Sequence, residues 1–569
     1  MSVSLQEQPQ AASLPGARRS LTESAAHGTA LEEFERSDGR PAFVLTFTEV
    51  KLLGIAGVGF FLDAYDLFII NPVSTMLQYR LYGGKSLPPN LEGFVKAGAN
   101  IGSVIGQFAF GYAADSLGRK AVYGKELMLI IIATILTLTT PTGSLSPNNC
   151  LIYLGMFRIL LGVGVGGDYP MSASITSDRS NLRKRGTMLA YVFSNQGWGS
   201  LVGSLATLIV LAIYRGAIEK RNELSKVDGV WRIVVGISLI PAFGTLYQRV
   251  TLPESKRFVF SQKLKLTGQH TEAQPRDIAE LEKEKVTAEG STDADEKPSK
   301  NGSAEIVEER NELSEDNDLP LEVLIKKKAH FKGMVSFPCL AQKFLNYFSE
   351  WKHAKLLIGT CVCWFLLDIA FYGINLNQNV VLGQIGFDGK SGTEWNRLFK
   401  ISTGNMIITA LGFVPGYYAS ILTIEILGRK WIQIQGFLMA ALFLGVLAGK
   451  FHELSKGAFI VCFALLQFFF NFGANTTTYC YPAEVFPTRF RATAHGISAA
   501  SGKAGAIISA LVFNTLSKKI GTPAVLWIFF GCCIAGAFFT LLLPEVKGRD
   551  PDALLAAEIE AKRQAVVGI

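Results

Sequence analysis

Two stretches of the chain repeat one another: Asp115-Ser-Leu-Gly118-Arg119-Lys120 and Glu425-Ile-Leu-Gly428-Arg429-Lys430. Each follows the second apolar run of its half, and each puts an acid three residues before Gly-Arg-Lys. A second pair repeats at the end of each half: Leu252-Pro253-Glu254-Ser255-Lys256-Arg257 and Leu543-Pro544-Glu545-Val546-Lys547-Gly548-Arg549. Two kinds of motif at corresponding positions imply two six-helix halves related by a pseudo-two-fold axis along a membrane normal. The first copy is preceded by Gly111, where the second has Ile421, so closer packing is expected beside the first.

The apolar runs around these motifs are long enough to span a bilayer, which takes about 20 residues as a helix. They fall at 48–72, 92–113, 122–140, 151–175, 187–213 and 231–250, then at 354–380, 401–423, 430–450, 457–481, 493–515 and 522–543. They are continuous, not alternating, which excludes a β-barrel. The expected fold class is an all-α membrane protein with twelve transmembrane helices in two pseudo-symmetric bundles. The expected organisation is a disordered N-terminal tail (1–45), a first bundle (46–254), a central loop (255–352), a second bundle (353–545) and a C-terminal tail (546–569). The polar start shows no cleavable signal peptide. The loop's Glu-, Lys- and Ser-rich middle reads as a linker.

Composition agrees. Of 569 residues, 49% are hydrophobic and 18% charged, against about 25% charged in soluble domains. The net charge of +8 raises nucleic acid as a partner, but the cations cluster in short loops between apolar runs. Arg119–Lys120, Arg179 with Arg183–Arg185, Arg429–Lys430, and Arg489 with Arg491 all fall on one side. The positive-inside bias makes that side, with both termini, cytoplasmic. No nucleic-acid partner is expected. The eight cysteines read as small packing residues. No metal-ligand motif, cofactor motif or nucleophile–base pair appears, so an enzyme, a metal and a cofactor are not expected.

Charges inside a membrane are costly and mark function. Asp63 and Asp66 lie within the first run, Arg158 and Asp168 within the fourth, Asp368 within the seventh and Lys503 within the eleventh. Glu126 and Glu484 sit near run ends, within reach of the interface. Trp364, Asp368 and Tyr372, spaced i, i+4, i+8, share one helix face. That face offers a carboxylate between NH and OH groups. The alternative is a buried, hydrogen-bonded Asp with aromatic packing. Gly162, Gly164, Gly166 and Gly167 lack the strand and Lys-Ser/Thr of a phosphate loop, so they read as helix contacts. Gln196 and Asn475 add amides, with interhelical hydrogen bonding as the alternative role. In the repeats, Asp115, Arg119, Glu425 and Arg429 read as a cytoplasmic gate, and Lys120 and Lys430 as headgroup anchors. A ligand meeting a cation, OH and NH donors and carboxylates is a small anion carrying OH groups. Dihydrogen phosphate fits, and sulfate does not.

The stretches Phe60-Phe61-Leu62-Asp63-Ala64-Tyr65-Asp66-Leu67-Phe68, Gly166-Gly167-Asp168-Tyr169-Pro170, Trp364 to Gln378 and Tyr481 to Arg489 resemble the fungal high-affinity phosphate:proton symporters. These form the phosphate branch of the major facilitator superfamily. The resemblance implies phosphate bound by Tyr169, Gln196, Trp364, Asp368, Tyr372 and Asn475, with Lys503 close by. It also implies protons handled by Asp63, Asp66, Asp168 and Asp368 with Arg158 as a charge partner, and a plasma-membrane location. The remaining readings are a sugar or organic-anion:proton symporter and a phosphate-sensing receptor with little net transport.

Overall fold

The computed structural model describes residues 41–221, 223–255, 258–259, 337–378, 382–383, 387 and 392–567. The expected tail over 1–40 and most of the central loop lie outside the described residues. Among those described, the chain is predominantly helical and has no strand.

Six long helices make the first bundle: α1 (Phe47–Tyr82), α2 (Pro89–Leu117), α3 (Arg119–Leu138), α4 (Pro147–Arg179), α5 (Leu182–Ile213) and α6 (Leu224–Val250). Six make the second: α7 (Trp351–Asn375), α8 (Glu394–Leu427), α9 (Arg429–Gly449), α10 (Lys456–Val485), α11 (Arg491–Ile520) and α12 (Thr522–Leu542). Each of the twelve apolar runs falls on one of these helices, though the bounds differ by several residues: α4 and α8 run on into polar flanks, while α7 ends at Asn375, short of its run. Eleven meet the length and apolarity of a membrane span. The exception, α2, buries Lys96, Asn100, Ser103 and Gln107 among its glycines, which lowers its mean hydropathy.

Local chemistry sets the helix starts. Thr46 and Glu49 form a reciprocal capping box at α1, and Ser146, Thr393 and Ser455 cap α4, α8 and α10. The expected glycine contact is the α2–α4 seam. A Cβ on Gly102, Gly106, Gly162 or Gly166 would lie 1.9 to 2.2 Å from a carbonyl oxygen of the facing helix. Only glycine permits that approach. Gly111 abuts Ala492 and Gly496 of α11, while the matching Ile421 buries its side chain.

The two repeat motifs of each half meet one another. Glu254 accepts the backbone N–H of Lys120 at 3.0 Å. Glu545 accepts those of Arg429 at 3.1 Å and Lys430 at 3.0 Å. Each Pro-Glu acid therefore caps the helix that begins at its own half's Gly-Arg-Lys. Gly118 and Gly428 turn into these caps with φ of 99° and 83°. A Cβ there would meet the capping carboxylate at 2.9 and 2.4 Å.

Beyond α12, residues of the expected C-terminal tail form a helix, α13 (Pro551–Val567). Asp552 accepts from Thr488 N at 2.7 Å and Oγ1 at 2.5 Å. Glu558 pairs with Lys352 at 2.6 Å, Lys562 at 3.0 Å and His353 at 3.2 Å. Partial burial opposes its ionisation, but hydrogen bonds from Lys352, Lys562 and His353 outweigh this and hold its carboxyl at about 2. Glu350, His353 and Glu558 converge closely enough to share a cation, yet the two lysines already neutralise both carboxylates.

Candidate functional site

The i, i+4, i+8 face of α7 points inward: Trp364, Asp368 and Tyr372 are all buried. From Tyr372 a continuous chain of hydrogen bonds runs through both bundles. Lys503 of α11 donates to the Tyr372 hydroxyl at 2.5 Å and reaches that of Tyr169 on α4 at 3.4 Å. Tyr169 donates to Asp63 Oδ2 of α1 at 2.6 Å. Gln196 of α5 donates from Nε2 to the same Asp63 oxygen at 3.0 Å and to the Tyr169 hydroxyl at 2.8 Å. Its Oε1 accepts from Tyr417 of α8 at 3.2 Å. Asn475 of α10 donates to Tyr417 at 2.9 Å and to Asn471 at 2.7 Å.

The expected binding residues Tyr169, Gln196, Tyr372, Asn475 and Lys503 thus lie in one network, joined by Asp63, which was expected only to carry protons. Trp364 packs its ring 6.2 Å from that of Tyr169. The Lys503 ammonium sits 4.3 and 5.0 Å from the Tyr372 and Tyr169 ring centroids, within cation–π range. Asp368 lies between Trp364 and Tyr372, in the field of Lys503 and Asp63. Asp63 Oδ1 and Asp368 Oδ2 are buried with no hydrogen-bond partner. Unmet buried acceptors are costly. Protons, or a ligand with OH groups, relieve that cost, and Lys503 supplies the charge to hold an anion. Tyr417 was not foreseen. It lies within the apolar run of α8, where nothing in the sequence singles it out, and it is 1% exposed.

The other membrane acids are served by separate arginines. Arg158 donates to the backbone carbonyls of Val95 at 2.9 Å and Asp66 at 3.2 Å, so its charge serves Asp66. The partner of Asp168 is Arg249, at 2.5 Å, and Arg249 also holds Glu126 at 3.3 Å. Ser172 donates to Asp168 at 3.0 Å. Glu126 and Glu484, expected near the interface, are 0% and 3% exposed. Each is kept inside by an arginine, Arg249 or Arg429.

At the motif end the two halves are bolted together symmetrically. Asp115 accepts from Thr493 N at 2.7 Å and Oγ1 at 2.8 Å, at the N-terminus of α11. Glu425 accepts from Thr187 N at 3.1 Å, at the N-terminus of α5. Each acid caps a helix of the opposite half at the same turn, where the helix dipole favours negative charge. Arg119 pairs with Asp115 at 3.3 Å and Asp178 at 3.5 Å, and donates to the Thr488 carbonyl at 2.8 Å. Asp178 is also bonded across the halves by Arg491. Arg429 pairs with Glu425 at 2.7 Å and Glu484 at 2.8 Å. All four expected gate residues are present in these clusters, and Asp178, Arg491 and Glu484 complete them.

Comparison with known proteins agrees with this architecture. Residues 52–554 match the family described as sugar (and other) transporter. The inorganic phosphate transporter PHO84 of Saccharomyces cerevisiae is 38% identical over 88% of this chain and 83% of its own. The repressible high-affinity phosphate permease of Neurospora crassa is 35% identical over 91% of this chain and 89% of its own. Among solved structures, the major facilitator superfamily proton:xylose symporter XylE superposes with a TM-score of 0.63. It covers 90% of this chain and 98% of its own at 18% identity, which speaks to the fold.

Proposed function

The chain belongs to the sugar (and other) transporter family, and from that premise we propose that it takes up inorganic phosphate with protons across the plasma membrane by alternating access. The observation that carries this reading is the network between the bundles, with Lys503 facing two carboxylates that each keep one unmet oxygen. Tyr169, Gln196, Trp364, Tyr372, Asn475 and Lys503 bind the anion. Asp368 accepts a phosphate OH or carries a proton. Asp63, Asp66 beside Arg158, and Asp168 beside Arg249 are the remaining proton carriers. Phosphate is named for relatives at 35 to 38% identity, which supports the choice of substrate.

In the conformation described, the donors of the two halves bond to each other and the motif end is shut. Phosphate entering from outside replaces those bonds. Protonation of a carboxylate removes a charge that would otherwise repel the anion at low dielectric, and this couples the two fluxes. Rocking of the halves then breaks the Asp115–Thr493 and Glu425–Thr187 caps and opens the site to the cytoplasm. The test is labelled phosphate uptake in cells lacking their own phosphate carriers. Uptake should rise as external pH falls, and arsenate should compete while sugars and carboxylates do not. Competition by sugars or carboxylates at matched concentration, or a flat pH profile, would refute the reading.

A further inference from the structure

Away from the charged end, α1, α5 and α8, with Gln378 just after α7, line a cavity. Its wall includes Phe68, Ser200, Thr207, Ser402, Asn405 and Thr409. It lies outward of the network. Ser200 is one helical turn beyond Gln196, and Thr409 about two turns before Tyr417 on the antiparallel α8. The wall carries no charged residue. Its five polar side chains named here are each at most 5% exposed. Ser200 and Thr409 hydroxyls face each other across the halves at 3.5 Å, and Asn405 Oδ1 is buried without a partner. Along α8 the helix widens to a π turn over Thr409–Phe413, a distortion frequent at functional sites.

Both ends of the cavity are closed. Inward, Phe68 stacks on Tyr372 with ring centroids 6.4 Å apart and meets Phe413 edge-on at 5.8 Å. This aromatic partition separates the cavity from Lys503. Outward, Trp395 donates to the Leu211 carbonyl at 2.7 Å, and Arg215 lies over its ring at 4.7 Å. Glu219 accepts from Arg215 at 2.7 Å, and from Thr393 and Asn396 at 3.2 Å each. This clamp joins the two halves one turn outside the cavity.

We propose that this cavity is an outer site at which a protonated tetrahedral oxyanion is held, between clamp and partition, before it reaches Lys503. The proposal rests on the phosphate reading above. Hydroxyls and amides both donate and accept, as does an oxyanion that keeps OH groups, and Asn405 Oδ1 supplies an acceptor for one of them. With no fixed charge the site binds more weakly than the network, so the ion moves inward. As described the cavity measures about 10 Å³, room for about one water, so it takes the ion only when the two halves, which both supply its walls, part.

The experiment is equilibrium binding of labelled inorganic phosphate to the purified full-length protein in lipid nanodiscs. Wild type should bind two equivalents, the second at least about tenfold more weakly. Asn405→Leu, and separately the pair Ser200→Val with Thr409→Val, should lose the weak phase and keep the tight one, whose retention reports an intact fold. Lys503→Met should lose the tight phase and keep the weak one. A single equivalent in wild type, or a weak phase that survives both outer-site variants, would overturn the outer site and leave the phosphate reading standing. No phosphate binding by wild type would overturn both.

Discussion

Replacing Asp115 by Asn removes one negative charge from the N-terminus of α11 and leaves the side chain nearly isosteric. Asp115 Oδ2 accepts from Thr493 N and Oγ1 at 2.7 and 2.8 Å, and Oδ1 lies 3.3 Å from Arg119. Hydrogen bonds to charged groups contribute about 1 kcal/mol more than neutral ones, and a helix N-terminus adds about 0.3–1 kcal/mol for a nearby anion. The expected loss of closed-state stability is therefore about 1–2 kcal/mol. Arg119 still holds the Thr488 carbonyl across the halves at 2.8 Å, so the gate weakens without failing. About 1.4 kcal/mol shifts a two-state equilibrium roughly tenfold. A population of about 90% closed would fall to about 50%. The assay is double electron–electron resonance between spin labels on the motif ends of α2 and α11 in nanodiscs. Glu425→Gln, which weakens the matching bond to Thr187, should give a comparable shift, and the two should add in free energy. Unchanged distance distributions in both variants would refute the gate.

Tyr372→Phe keeps the stack on Phe68 but removes the oxygen that accepts from Lys503; KM for phosphate should rise about tenfold, as read in initial uptake rates. Arg249→Met leaves Glu126 and Asp168 buried without their cation, at a cost of about 3–5 kcal/mol. Its yield of folded protein on size-exclusion chromatography should collapse, and neutralising both acids as well should restore it. Gly428→Ala forces a Cβ to 2.4 Å from the Glu545 carboxylate at φ 83°, and should lower the melting temperature more than Gly54→Ala, where the space is open. Glu558, held at about 2, contributes stability that is full above the ordinary glutamate range near 4.5 and is lost only as pH falls toward 2. The Glu558 contribution to docking of α13, followed by hydrogen exchange, should therefore be constant above about pH 5, and any loss as pH falls through the ordinary histidine range should vanish in His353→Gln, because burial holds His353 below its usual pKa.

What could be read before any coordinates was what one helix shows by itself. The Trp364, Asp368, Tyr372 face follows from helical periodicity, and Lys503 stands out because a lysine within an apolar run has no cheap structural role. The repeats identified Asp115 and Glu425, but not which helices they cap. Those partners, Thr493 and Thr187, are 378 and 238 residues away, and a single sequence carries no signal of such pairing. Arg249 was missed for a related reason. It ends an apolar run, where an arginine reads as a headgroup anchor, and only the approach of α6 to α3 and α4 turns it inward to Glu126 and Asp168. Which of the acids Arg158 serves, Asp66 in the structure, depends likewise on helix rotation, which apolar periodicity leaves loose in a helix buried on most sides.

The most direct measurement of the central claim is accumulation of labelled phosphate by proteoliposomes under an imposed pH gradient, comparing wild type with Asp368→Asn at equal protein density. Wild type should concentrate phosphate on the alkaline side, whereas Asp368→Asn should bind phosphate and yet fail to concentrate it. Gradient-driven accumulation by Asp368→Asn equal to wild type would contradict the account.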